Sequence, residues 1–73
     1  MNYTFKQLRK RANLTCGEVA AELEISESAY RKYERSARIP QARAVVKLKK
    51  VYGCTDEEIM GAVKYHTANK VND

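Results

Sequence analysis

Residues 15–35 of the 73-residue chain read TCGEVAAELEISESAYRKYER, and this stretch decides the fold. Thr15 followed by Glu18 fits a capping box, in which a threonine hydroxyl accepts from the third amide of a helix and a glutamate reaches back to the cap. Apolar residues then recur at helical spacing. Together these signals predict a helix from Cys16 to about Leu23.

A second helix is expected to begin almost at once. Ser26 is a favoured N-cap residue, and Tyr30 and Tyr33 follow at a spacing that places both on one buried face. This helix should end around Ser36, because Ile39 precedes a proline and is biased away from the α region. The connection of about three residues is too short for an antiparallel hairpin. The two helices must therefore cross sharply, as in a helix-turn-helix.

Two further capping boxes begin at Thr4 and Thr55, each ahead of an apolar-periodic segment. The first predicts a helix from Phe5 to about Ala12. The second predicts a helix that begins after Thr55, buries apolar residues on one face and fades near Tyr65. Three such boxes at the heads of periodic segments are good support for three helices.

A fourth helix is expected over Ala42–Tyr52, with Gly53 as the left-handed residue that ends it. The chain is therefore predicted to be all-α, a compact five-helix bundle over residues 1–66. Residues 67–73 are predicted to form a polar C-terminal tail.

The formal net charge is +5, and it is distributed unevenly along the chain. Residues 1–26 carry +1, residues 27–50 carry +6 and residues 51–73 carry −2. A positive field concentrated in the middle suits a nucleic-acid partner. Net charge alone is explained equally well by a solvated basic face.

The composition argues against several other classes. Cys16 and Cys54 stand apart without a CxxC pair, and His66 is the single histidine, so no metal site is expected. The cysteines are expected to be buried thiols, since no secretory segment precedes them. No apolar run suggests a membrane span, and a cytoplasmic protein without cofactor or small-molecule substrate is expected. No spacing pairs a nucleophile with a base, so we do not expect an enzyme.

Several motifs together resemble a known family. They are Leu14-Thr15, Ala20, Ser26 at the turn, Tyr33-Glu34-Arg35 leading to Pro40, and the ending Gly53-x-Thr55-x-Glu57-Glu58-Ile59. With these motifs, the span Phe5–Met60 resembles the Cro/cI-like regulators, the xenobiotic-response-element class of helix-turn-helix proteins with the lambda-repressor-like fold. The resemblance implies a small repressor of the type found in phages and mobile elements, with double-stranded DNA as its partner.

The resemblance also implies roles for individual residues, with helix 3 in the major groove. The candidates for base reading are Ser26, Glu27, Ser28 and Lys32. The candidates for phosphate contacts are Arg31, Arg35, Arg38 and Arg43, together with the exposed amides beside Gly17 at the start of helix 2. A structural ion pair is expected between Arg9 and Glu34. A homodimer contact through the last helix would use Ile59, Met60, Val63 and Tyr65, although these residues can instead simply close the core.

The sequence departs from the family pattern at several positions. Cys16 stands where the family usually has a phosphate-anchoring glutamine. Glu24 and Ser36 stand where glycine is common, and Lys49 stands where alanine is common. A second hypothesis therefore remains open: an antirepressor-like module that uses the same surface to bind a partner regulator protein. The +6 charge of residues 27–50 argues against it, because such a surface attracts duplex DNA.

Overall fold

The structure, a computed structural model, describes residues 2–71, and across this range the chain forms five α-helices and no strand. They are α1 (Phe5–Arg11), α2 (Cys16–Leu23), α3 (Glu27–Glu34), α4 (Ala42–Tyr52) and α5 (Asp56–Ala68). The predicted all-α class is confirmed. No helix in this part of the chain has both the length and the apolar character needed to cross a membrane.

Side-chain caps set the starts of four of these helices. Thr4, Thr15 and Thr55 each accept a hydrogen bond from the third amide of the following helix and receive the reciprocal bond at their own amide, so the three predicted capping boxes form. Ser26 Oγ accepts from the Ala29 amide at 3.0 Å and caps α3. Each of these starts is therefore encoded within four residues of sequence.

The core lies where these helices meet. Its buried members are Phe5, Leu8, Val19, Ala20, Leu23, Tyr30, Leu48, Tyr52, Cys54, Ile59 and Ala62. Tyr33 and Val63, both expected inside, are only partly buried and pack against the edge of this cluster. Both cysteines are free thiols, but burial holds for Cys54 only, since Cys16 is partly exposed.

The two tyrosines of the core satisfy each other. The hydroxyls of Tyr30 on α3 and Tyr52 on α4 lie 2.7 Å apart. Burial raises the pKa of both phenols, so each stays neutral and can serve as donor or acceptor. The bond lets two large aromatic residues fill the core without leaving a buried hydroxyl unpaired, and it fixes α3 against α4.

The prediction that helix 5 fades near Tyr65 is wrong, because α5 continues to Ala68. Its last turns are held by His66, which is 1% exposed. The Phe5 amide donates to His66 Nε2 at 3.1 Å, and His66 Nδ1 lies 2.6 Å from Ser36 Oγ. The first two residues of the expected polar tail are thus helical, and residues 72 and 73 of that tail lie outside the described range.

Several turns require a left-handed backbone. Gly53 ends α4 with φ 66°, as predicted. Asn13, Glu24 and Ser36 adopt φ values of 61°, 58° and 62° although none of them is glycine. A side chain with a Cβ in this region costs roughly 1–2 kcal/mol, so these turns are held by the packing around them.

Glu24→Gly is expected to stabilise the protein by up to about 1 kcal/mol, because glycine adopts the left-handed conformation without a Cβ clash. Glu22→Gly is the matched control, since the same substitution inside α2 should destabilise by about 1 kcal/mol. Chemical denaturation of both variants measures the difference. Equal losses of stability in the two variants would contradict the strain argument.

An ion pair joins α1 to the end of α3. Arg9 Nε lies 2.6 Å from Glu34 Oε2, and a second guanidinium nitrogen donates to Oε1 at 3.3 Å. The third nitrogen donates to the Leu14 carbonyl at 3.0 Å. The two side chains are only 12% and 11% exposed, and the hydrogen bond to Glu34 raises the pKa of Arg9. The cost of desolvating the two charges offsets much of their attraction, so the intact pair adds little net stability. Its main effect is to fix the angle of α3.

Glu34→Ala is expected to lower stability by about 3 kcal/mol, because it leaves the Arg9 charge nearly buried without its partner. Thermal melting followed by circular dichroism measures the change. Glu22→Ala removes an exposed carboxylate from α2 and serves as the control, with an expected effect within about 0.5 kcal/mol. An unchanged melting temperature for Glu34→Ala would refute the structural role of the pair.

Candidate nucleic-acid interface

The short connection between α2 and α3 determines which side of α3 faces outward. Glu24 turns the chain, and the Ile25 amide donates back to the Ala20 carbonyl at 3.0 Å. Ser26 then caps α3. Since each helical residue rotates by about 100°, this start directs Tyr30 into the core and the opposite face into solvent.

The outward stripe of α3 consists of Ser28 and Lys32, one turn apart and opposite Tyr30. Ser28 is exposed and Lys32 is partly buried. Ser26 and Glu27 are exposed at the helix start, and the Ser26 hydroxyl is already engaged as the cap acceptor. The structure therefore places the four candidate base-reading residues on or beside one outward face.

Glu27 lies against the start of α2. A Cβ at Gly17 would be 3.0 Å from Glu27 Oε1, so the glutamate fills the space that glycine leaves open. Arg31 holds the carboxylate from the other side, with nitrogens 2.6 Å and 3.0 Å from Oε2. A carboxylate is favoured at this position because the first amides of a helix carry partial positive charge. The site expected to bind a phosphate thus contains an internal anion.

The Glu27–Arg31 pair is solvent-exposed on both sides, and the hydrogen bond to Glu27 raises the pKa of Arg31. Exposed pairs one helical turn apart contribute little to stability, so this pair can open readily. Arg31 and Glu27, which the sequence assigned to separate DNA contacts, form one cluster with Gly17. Arg35 is exposed at the end of α3 and lines the same surface depression as Arg31.

A cleft of about 350 Å³ lies on the other side of α3, beside the start of α4. The apolar and aromatic residues that line it are Leu23, Ile25, Ala29, Tyr33, Ile39 and Ala44. The polar residues that line it are Arg38, Gln41, Arg43 and Lys47. We refer to it as the α3–α4 cleft. Three of its polar residues are basic. Gln41 is the N-cap of α4 and makes no side-chain cap bond, and the first turn of α4 contains no acidic residue.

The α3–α4 cleft therefore joins two of the predicted phosphate contacts, Arg38 and Arg43, with Lys47, a basic residue that was not among the predicted contacts. Arg43 and Lys47 are four residues apart on one helix, a spacing that places them on the same face. This signal was available in the sequence. Lys49, by contrast, pairs with Asp56 at 3.0 Å across the α4–α5 turn.

The last helix presents only part of the predicted dimer contact. Ile59 is 3% exposed and belongs to the core, so it is not available to a partner. Met60 and Tyr65 are 48% and 39% exposed, and Val63 is partly buried. The candidate contact is therefore reduced to these three residues.

Comparison with protein families gave a match to a helix-turn-helix domain over residues 4–60. Neither the curated proteins nor the solved structures gave a match. The matched span contains α1 to α4 and the start of α5, including the turn at Glu24 and the outward face of α3. Because the match covers most of the chain, and α2 and α3 are joined by a three-residue turn, the protein belongs to the helix-turn-helix domain family, a family of DNA-binding domains.

Proposed function

We propose that this protein is a Cro/cI-like transcriptional regulator that binds double-stranded DNA sequence-specifically and reads the major groove with α3. The observation that carries the proposal is the surface around α3. The stripe of Ser28 and Lys32 lies between two groups of basic residues, Arg31 and Arg35 on one side and the basic residues of the α3–α4 cleft on the other. Such a surface suits a helix in a groove bounded by two phosphate backbones.

The proposal gives a chemical role to both residues of the stripe and to Ser26 beside it. Lys32 donates to guanine O6 or N7, and Ser28 donates or accepts at a base edge. Ser26 accepts the cap bond from the Ala29 amide, which leaves its hydroxyl proton available to DNA. We assign phosphate contacts to Arg31, Arg35, Arg38 and Arg43 and add Lys47. These contacts position the helix and supply most of the salt-dependent affinity.

Selection from a random duplex library with the purified protein tests the proposal. We expect an enriched sequence that changes at one position with Lys32→Ala, at a cost of about 1–3 kcal/mol. Arg43→Ala is the contrasting variant: it should weaken all sequences alike and reduce the slope of log affinity against log salt by about 1. Lys64→Ala on α5 should change neither result. Sequence-blind retention by the wild type would contradict base reading.

The start of α2 can hold either the Glu27 carboxylate or a DNA phosphate. In this structure the carboxylate of Glu27 lies where a DNA phosphate would approach the first amides of that helix. Glu27→Gln keeps the size of the side chain and removes its charge. We expect this variant to bind random duplexes several-fold more tightly, because an internal anion no longer competes with phosphate.

Filter-binding measurements with the random library and with the selected sequence test this prediction. Glu22→Gln is the matched control, since it removes a carboxylate from an exposed position on α2 away from Gly17. Unchanged random binding by Glu27→Gln, combined with a lost preference for cytosine at one position, would show that Glu27 reads a base instead.

Assembly as a homodimer through Met60, Val63 and Tyr65 is part of the same proposal. A twofold dimer would place two α3 helices about 34 Å apart on one face of the duplex and select an inverted repeat. Sedimentation that gives only monomer, with and without DNA, would remove the dimer and leave a single half-site. A small repressor of this type, of phage or mobile-element character, would act in the cytoplasm.

The α3–α4 cleft favours a second candidate function, the binding of a partner regulator protein. A lining that combines apolar residues with three basic residues is complementary to a peptide segment in which large apolar residues alternate with carboxylates. Such a segment would cover Arg38 and Arg43 and exclude DNA, as an antirepressor does. Failure of the wild type to retain any duplex, at low salt, would favour this candidate over DNA reading.

A further inference from the structure

We propose that His66 is a positioning residue for α3: in its neutral form the ring ties the end of α3 and the start of α1 to α5, and its protonation releases α3 from the orientation that binds DNA. The inference rests on DNA binding through α3 as the proposed function. It concerns a residue far from the outward face of α3, on the last helix.

The hydrogen bonds of the ring determine its protonation state. The Phe5 amide can only donate, so His66 Nε2, 3.1 Å away, must accept and carries no proton. In the neutral ring the proton is then on Nδ1, which donates to Ser36 Oγ at 2.6 Å. In a doubly protonated ring, the proton on Nε2 would face the amide proton of Phe5, so that two donors would meet without an acceptor. The structure therefore accommodates the neutral ring in one tautomer only.

Ser36 transmits this contact to α3. It follows the C-cap of that helix, and its amide donates to the Tyr33 carbonyl at 3.2 Å. Its carbonyl accepts from the Val71 amide at 2.9 Å, just beyond α5. Its left-handed φ of 62° is unfavourable for a serine and persists only because these bonds hold it. Loss of the His66 bond therefore loosens the exit of α3 at a strained residue.

Phe5 connects the same ring to α1. Its amide is the first in α1 and has no partner within the helix, so His66 supplies the acceptor that the helix start lacks. The phenyl and imidazole rings are stacked, with centroids 4.3 Å apart. Phe5 also stacks at 6.5 Å with Tyr52, the residue that holds Tyr30 of α3. The ring is thus joined to α3 by a second route through the core.

The surroundings of the ring oppose its charge. Burial lowers the pKa of His66, and the negative charge of Glu34 at the end of α3 acts in the opposite direction and raises it. Glu34 is already paired with Arg9 of α1, which reduces its effect. Tyr65 contacts the ring edge-on, with ring centroids 5.1 Å apart. Because the unfolded chain takes up this proton first, the stabilisation is complete above about pH 6.5 and falls as the pH drops below it.

Nuclear magnetic resonance of the full chain tests the assignment directly, since the sequence contains one histidine. We expect ring ¹⁵N shifts of the Nδ1-protonated tautomer at about pH 7.5 and a titration midpoint below about 6.5. The backbone amide signals of Tyr33 and Ser36 should move with the same midpoint. An Nε2-protonated ring, or α3 amides that do not follow the ring, would overturn the proposal.

Duplex binding across the same pH range provides the functional readout. Protonation of an exposed histidine strengthens DNA binding by adding a positive charge. We expect the opposite here, a several-fold loss of wild-type affinity as the ring titrates. His66→Gln, which retains a donor and an acceptor, should bind at about pH 7.5 without this loss on acidification. His66→Phe, which retains only the stacking, should bind weakly at every pH.

The readouts separate the proposal from the function on which it rests. Wild-type affinity that rises or stays level while the ring titrates would overturn the positioning role. If the wild type retains no duplex at about pH 7.5, DNA binding itself fails. In that case the amide signals still test the effect of His66 on α3. Shifts of Tyr33 and Ser36 that follow the titration of the ring would support the effect, and signals that do not follow it would refute the effect.

Discussion

The left-handed turn at Glu24 is the constraint on which the rest of the structure depends. With φ 58° it turns the chain sharply between α2 and α3, and Ser26 caps the next helix two residues later. Because α3 begins at a defined residue and angle, Tyr30 points into the core and Lys32 points away from it. The outward face of α3 is a geometric consequence of this turn.

Three polar contacts then hold α3 from three other helices. Arg9 of α1 pairs with Glu34, Tyr52 of α4 bonds Tyr30, and His66 of α5 bonds Ser36 just beyond the helix. A core of this size is only marginally sufficient, and buried polar pairs fix orientation more than they add stability. Throughout residues 2–71, no buried side-chain nitrogen or oxygen lacks a hydrogen-bond partner. These contacts together fix the position of α3 against the other helices.

The surface around α3 contains basic residues that attract a polyanion and one carboxylate, that of Glu27, that repels it. The α3–α4 cleft and the arginines on the other side of α3 favour a polyanion. Glu27 opposes it at one point, because its carboxylate covers the start of α2 where a glutamine would assist phosphate binding. Cys16, which stands where the resembled family usually has that glutamine, lies beside Glu27 and Gly17 at the same helix start. In the proposed DNA complex, a weakened contact at α2 would leave a larger share of the affinity to Arg38, Arg43 and Lys47 on the opposite side.

The sequence by itself determined the starts of α1, α2, α3 and α5, the end of α4 and the α2–α3 turn, because capping boxes, Ser26 and Gly53 act within four residues of their partners. It also indicated the outward stripe of α3 and, through the family resemblance, the Arg9–Glu34 pair. Only the tertiary structure decided the length of α5, since His66 bonds an amide 61 residues away. It likewise placed Glu27 over Gly17 and Lys47 beside Arg38. These contacts join helices that cross at an angle, and no local periodicity encodes which side chains meet there.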